Sequence, residues 1–367
     1  MTKRFIAVGG GTSGHINPAI TIADALKKYY EGRSEDCEIV FVGRKEGLEG
    51  ELVPKAGYDF LDITAKPFPM RPGMKMIKAW KALKEGRKQC AKIIDEYKPD
   101  AVFGTGGYVC APLIFSAEKK GIPVVLHEAN AFPGRANKVL GKKADLVLTG
   151  FPDLESVFPK AGKVVFTGNP IRDIMKNVDR EKSREKLGLS PSDKLIFVMG
   201  GSLGSKTLNE FIVKTASTEE FKDVRFVLGS GKQQSGTLSD LKIPENLTVK
   251  TYIEDPQTYL SAADISVTRA GAVTCAEIAA VGSCSVLVPY PHAAHDHQTY
   301  NAKAFVDVEG AVLVPDAEVE TTLKDVLKDL LNDKDKREKM RINAKKLAVL
   351  DCDERIAQAI AELLESK

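Results

Sequence analysis

The sequence predicts an α/β protein built of two doubly wound, Rossmann-like domains. Short apolar runs alternate with helical stretches along the chain, the pattern of parallel strands covered on both faces. A strand that ends in glycines and opens into a helix occurs twice, first ahead of Gly9-Gly10-Gly11 and again ahead of Gly200-Gly201-Ser202-Leu203-Gly204. The length of 367 residues suits two domains.

Residues 4–8 form the first predicted strand. A helical pattern follows in Ile20, Ile22, Ala23 and Leu26 and closes in Lys27 and Lys28. Further strands are read at 38–42, 101–103, 123–126, 146–149 and 164–166. The pattern restarts with a strand at 194–199 and a helix from about Lys206. Strands at 225–228, 248–251, 265–268, 285–289 and 311–314 complete the second set. The charged stretch 179–186 lacks strand character, and the tail from about 335 reads as charged helix. Residues 1–170 are therefore assigned to one domain and 171–349 to the other, with a helix at about 350–367 packing back on the first. Ligands of such sheets bind beyond the carboxyl ends of the strands, so the expected site is a cleft between two facing lobes.

Composition narrows the function. Hydrophobic residues make up 43% and charged residues 28%, ordinary globular values. The net charge of +3 gives no general case for nucleic acid as a partner, although basic residues concentrate in the front half. The six cysteines form no Cys-x-x-Cys pair, which argues against a zinc ribbon or a thioredoxin-type site. No stretch approaches the ~20 apolar residues of a membrane span, so the expectation is a soluble, cytoplasmic protein that meets membranes only at a surface.

Six motifs carry chemistry. Gly9-x-Gly11-x-x-Gly14 matches the dinucleotide fingerprint, but the second strand ends in Gly43-Arg44, where an Asp or Glu is needed for a ribose hydroxyl. An Arg there suits a phosphorylated dinucleotide, which leaves an NADP-dependent oxidoreductase as an alternative. The same loop carries Thr12, Ser13 and His15. His15 is placed for proton transfer near neutral pH, or for packing at the helix start. The second loop, Gly200 to Ser205, lacks the Gly-Lys-Ser/Thr ending of a Walker sequence but offers backbone N–H groups to an anion. The third, Arg269-Ala270-Gly271-Ala272-Val273-Thr274-Cys275-Ala276-Glu277, opens another helix; Glu277 there suits two ribose hydroxyls, or compensation of the helix dipole. The fourth places His292, His295, Asp296 and His297 before Gln298 and Asn301. Its spacing is not the helical His-Glu-x-x-His pattern, and no metal site is assigned. The fifth, His127-Glu128-Ala129-Asn130, follows a strand directly. The sixth is Gly168-Asn169-Pro170-Ile171-Arg172 at the domain junction.

In order along the chain, these motifs and Gly104-Thr105-Gly106-Gly107-Tyr108-Val109-Cys110-Ala111-Pro112 resemble the MurG family of bacterial cell-wall glycosyltransferases. The resemblance implies the GT-B architecture and inverting transfer of N-acetylglucosamine from UDP-GlcNAc to lipid I, forming lipid II, with no cofactor. It implies that Ser202 and its neighbours meet the donor diphosphate, that Ala272, Val273, Thr274, Cys275, Ala276 and Glu277 form a helix start over the phosphates with Glu277 on the ribose, and that Ile253 lines the uracil pocket. Gln298 and Asn301 would contact sugar and phosphate. From the first domain, Thr12, Ser13, Gly14, Asn130 and Arg172 would reach the donor, and His15 would act as base near the acceptor, with Glu128 as its rival. Two positions depart from the family: Ser13 stands for a glycine, and Ala129 for the Gln of a His-Glu-Gln-Asn motif. Another GT-B lipid glycosyltransferase with a different UDP-sugar or acceptor is the nearest alternative.

A lipid acceptor requires a membrane contact. Residues 66–92 hold nine Lys or Arg and one acid, Glu85. Lys75, Lys78 and Lys84 alternate with Met70, Met76, Ile77, Trp80 and Leu83, the composition of a segment that binds an anionic surface. The chain is thus expected at the cytoplasmic face of the cell membrane as a peripheral protein. The resemblance also implies partners among cell-wall synthesis and division proteins.

Overall fold

The computed structural model describes residues 2–69, 71, 73–201, 203–238 and 241–366. Ser202 and Met70, both singled out above, lie outside the described residues. The chain divides into two compact units, Met1–Ile171 with Val349–Lys367, and Arg172–Ala348.

The first unit is built on strands β1 (Lys3–Val8), β2 (Cys37–Gly43), β3 (Asp59–Asp62), β4 (Ala101–Gly104), β5 (Val124–Glu128), β6 (Leu146–Thr149) and β7 (Lys163–Phe166). They form one sheet in the order β3-β2-β1-β4-β5-β6-β7 with parallel pairing. β1 is central, and Phe5 to Val8 are fully buried. This explains its unbroken apolar run, since both faces are covered. The strand order reverses between β1 and β4, and pairing of Val8 with Gly104 sets the Gly9 loop beside the Thr105 loop. That is the crevice where such sheets take ligands.

The second unit contains β8 (Lys194–Met199), β9 (Val224–Gly229), β10 (Leu247–Lys250), β11 (Ile265–Thr268), β12 (Ser285–Leu287) and β13 (Ala311–Leu313), ordered β10-β9-β8-β11-β12-β13 and again parallel. Its order reverses between β8 and β11. Pairing of Met199 with Thr268 sets the Gly200 loop beside Arg269.

Three details differ from the sequence reading. β3 escapes it because Asp59 and Asp62 bracket only two apolar residues on an edge strand that is largely exposed. β12 stops at Leu287, short of Pro289, which has no N–H for a ladder. The charged stretch is a helix, Arg180–Lys186, whose Asp179 cap accepts the Lys182 N–H at 2.8 Å.

The last helix, Cys352–Glu365, packs on the Ser13–Glu31 helix of the first unit. Ile356 and Ile360 join Phe5 and Leu26 in one core cluster. We expect Ile360→Ala to lower unfolding stability by about 2–5 kcal/mol, measured by urea denaturation.

Candidate active site

In the first unit, Thr12 caps the Ser13–Glu31 helix in an extended conformation and makes no side-chain capping bond. His15 stands in the first turn of that helix, and its Nδ1 lies 3.1 Å from the Thr105 carbonyl. A carbonyl only accepts, so Nδ1 carries the proton and Nε2 is the lone-pair nitrogen of the neutral ring. Thr105 returns a bond from its hydroxyl to the His15 carbonyl at 2.6 Å. Gly106, with φ of +112°, makes room for the ring, since a Cβ there would approach His15 Cε1 to 2.9 Å.

Glu49 is a residue the sequence reading missed. It is 1% exposed, and its carboxylate accepts the Gly11 N–H at 3.2 Å and the Arg44 N–H at 3.3 Å. The Glu49 side chain therefore occupies an amide that a dinucleotide's pyrophosphate would need. Arg44 donates to the Tyr108 hydroxyl at 2.8 Å. Both contacts weigh against the oxidoreductase alternative.

Glu128 does not fit the role of rival base. Its side chain sits in a site only 2% exposed. Oε1 accepts the backbone N–H and side-chain amide of Asn130 at 2.9 and 3.1 Å. Oε2 accepts from Gly134 N at 3.1 Å and Asn137 Nδ2 at 3.0 Å. Burial raises its pKa, and these hydrogen bonds oppose the rise. The carboxylate is committed to shaping the loop that follows β5, and Asn130 is held by it. Ala129, standing for the family's Gln, is buried, and its carbonyl accepts from Asn169 Nδ2 at 2.9 Å. His127 is fully enclosed, with Nε2 3.3 Å from the Gly168 carbonyl and a pKa lowered to about 4 by burial.

In the second unit, Gly271 caps the Ala272–Val281 helix without a side chain. The Cys275 N–H already bonds to the Gly271 carbonyl at 2.9 Å, so the amides of Ala272, Val273 and Thr274 are the ones that precede the helical ladder. Cys275 thus contributes a buried thiol to packing rather than an anion contact, and Ala276 lies inside the ladder. Glu277 is 8% exposed, and burial raises its pKa while Arg172 opposes this. Arg172 Nη2 lies 3.3 Å from Glu277 Oε1. Arg172 was expected to act from the first domain; its contacts place it in the second unit. Ile253 is buried against the end of β9, and a Cβ on Gly229 would come within 2.9 Å of it.

Gln298 Oε1 accepts the Tyr290 N–H at 2.9 Å and so ties its helix to the preceding loop. Asn301, expected on sugar and phosphate, is 0% exposed and donates to the Ala270 carbonyl at 3.1 Å, bracing the turn before Gly271. Among the described residues no group of three His, Cys, Asp or Glu side chains is placed to hold a metal ion.

A second missed residue role belongs to Arg269, which is 8% exposed at the end of β11. Its guanidinium reaches the Ser205 hydroxyl at 2.6 Å and the carbonyls of Val288 and Pro289 at 3.2 and 3.1 Å. An arginine closing an apolar strand run is the one signal the sequence offered.

The Met74–Tyr97 helix corrects part of the membrane reading. Leu83 is 8% exposed and belongs to the inward face, and Met76 is half-buried. Ile77 and Trp80 are exposed, at 52% and 60%, beside Met74, and Phe68 packs edge-on to Trp80 at 5.2 Å. Lys75, Lys78 and Lys84 are exposed on the same helix. A concavity of about 490 Å³ is lined by Trp80, Lys84, Arg87, Lys88, Lys119 and Lys120. No helix among the described residues is long and apolar enough to cross a membrane.

Comparison with known proteins bears on both units. The glycosyltransferase family 28 N-terminal domain matches residues 5–149, and the family 28 C-terminal domain matches 195–356. A UDP-N-acetylglucosamine--N-acetylmuramyl-(pentapeptide) pyrophosphoryl-undecaprenol N-acetylglucosamine transferase of Acetivibrio thermocellus is 38% identical, covering 99% of each chain. The protein of the same name from Caldanaerobacter subterraneus is 36% identical, over 97% of this chain and 99% of the relative. The crystal structure of Acinetobacter baumannii MurG superposes with a TM-score of 0.77 at 27% identity, covering 98% of this chain and 99% of that one.

The buried His127 makes stability depend on pH. The unfolded chain takes up its proton near pH 6.5 while the folded chain resists until about 4. The stability is therefore full above 6.5 and is lost as pH falls toward 4, by about 3 kcal/mol. Urea titrations at stepped pH should show this slope, and His127→Gln should flatten it.

Proposed function

The chain belongs to glycosyltransferase family 28, in its MurG branch, and on that premise we propose that it transfers N-acetylglucosamine from UDP-GlcNAc to lipid I, forming lipid II. The observation that carries the donor side is the helix start at Gly271, with Arg172 and Glu277 beside its open amides. A nucleoside diphosphate presents what that corner lacks: negative charge for the amides of Ala272, Val273 and Thr274, and paired hydroxyls for the Glu277 carboxylate.

His15 is the base in this reading. Its Nε2 takes the proton from the acceptor hydroxyl as that oxygen attacks the anomeric carbon. The new carbon–oxygen bond forms on the face opposite the departing UDP, so configuration inverts in a single displacement. The bond from the anomeric carbon to the phosphate oxygen breaks, and its electrons leave on UDP. Helix-start amides and Arg172 stabilise that developing charge without reorganising. The hydroxyls of Thr12 and Ser13 and the backbone of Gly14 contact the donor sugar in this reading.

Membrane delivery rests on the Met74–Tyr97 helix. Trp80, Ile77 and Met74 supply the apolar contact, and each basic neighbour contributes about 1 kcal/mol at an anionic bilayer. The protein would sit peripherally on the cytoplasmic face, where its acceptor is presented.

Transfer of labelled N-acetylglucosamine to a lipid I analogue, with UDP release in parallel, tests the function; release without transfer, or preference for UDP-glucose, would contradict it. His15→Ala should lower turnover by roughly 10²–10⁴-fold while UDP binding stays, and near-normal turnover would remove His15 from the role. Flotation with phosphatidylglycerol vesicles should depend on salt and fall in Trp80→Ser; binding indifferent to both would reduce the patch to plain surface.

A further inference from the structure

The geometry points to Asp316 as the residue that positions the diphosphate loop of the second unit, a role that rests on the donor reading above. Asp316 follows β13 and lies outside every motif read from the sequence. Its Oδ1 forms an ion pair with Arg269 Nη1 at 2.6 Å, and its Oδ2 accepts from the Thr207 hydroxyl at 3.4 Å. The two charged side chains are 15% and 10% exposed.

Through Arg269 the carboxylate reaches four strand ends. Arg269 itself leaves β11. Its Nη1 holds the Val288 and Pro289 carbonyls after β12, and Asp316 comes from beyond β13. Its Nη2 holds Ser205 after β8. Ser205 in turn accepts the Leu208 N–H at 3.3 Å and caps the Lys206–Ala216 helix. Ser205 is thus the fixed end of the loop that starts at Gly200. On the other side of that loop Gly204 and Gly231, with φ of +88° and +83°, approach so closely that a Cβ on Gly231 would come within 2.1 Å of Gly204 N, and Gln233 N donates to the Leu203 carbonyl at 3.3 Å.

A guanidinium this enclosed is stable only beside a countercharge. Without the Asp316 carboxylate, Arg269 would be drawn toward water and would release Ser205. The loop amides would then have to be ordered by the ligand, at the expense of affinity. Among the described residues, Ile253 and Glu277 on the nucleoside side share no hydrogen bond or ion pair with this network and should not respond. Asp316 is accordingly a positioning residue whose effect is confined to the phosphates.

Calorimetric titration of the full chain with UDP and with uridine separates these effects. In Asp316→Asn, UDP should bind about tenfold more weakly, with uridine unchanged within about twofold. Arg269→Lys keeps the charge but loses the fork, and should show the same selective loss. Thermal midpoints of both variants identify any that fail to fold, and the other variant then carries the comparison. Equal losses for UDP and uridine, or UDP binding that is unchanged, would overturn the proposal. A wild-type chain that binds neither ligand would instead overturn the donor reading itself.

Discussion

The amides at the start of a helix that follows a parallel strand have no partner within the helix and must find an acceptor elsewhere, with negative charge favoured there. The two units differ in whether a carboxylate of their own stands at the loop that leads into such a helix. In the first, Glu49 brings its own carboxylate to Gly11 and to Arg44. In the second, no described carboxylate accepts from Ala272, Val273 or Thr274, and the acid nearby, Glu277, faces Arg172. The Gly11 loop of the first unit thus carries a carboxylate of its own, and among the described residues the Gly271 helix start of the second does not.

Buried polar groups give both sites their rigidity. Glu128 gathers Asn130, Gly134 and Asn137 into one loop, and Arg269 gathers the loops after β8, β12 and β13. Each is enclosed and satisfied by several partners, an arrangement in which removing one partner is costly because the rest stay buried. Preorganisation of this kind lets backbone amides act on a leaving phosphate without first being ordered. His15 follows the same logic on a smaller scale, its ring orientation set by the Thr105 carbonyl and by the absence of a side chain at Gly106.

The architecture was legible because β1 and β8 are central strands whose apolar runs end in glycine. β3 was not, since an edge strand buries too little to leave a pattern. Among the site residues, His15, Arg172 and Glu277 were singled out by motif position; His15 is held by the Thr105 carbonyl and Arg172 by Glu277. Glu128 and Asn301 stand in equally suggestive motifs, yet both are spent on holding backbone, which only burial and hydrogen bonding reveal. Glu49 and Asp316 gave no signal at all: each acts on a loop distant in sequence, from Gly11 to Glu49 and from Ser205 through Arg269 to Asp316. Leu83 shows the limit of composition, for it belongs to an exposed basic helix but points into the core.

Hydrogen exchange of the intact chain, with and without UDP, tests the contrast between the Gly11 loop and the Gly271 helix start most directly. Exchange should slow at the amides of residues 272–274 and in the loop before Ser205, with residues 9–11 and 44 unaffected. Protection centred on residues 9–11, with none at 272–274, would contradict it.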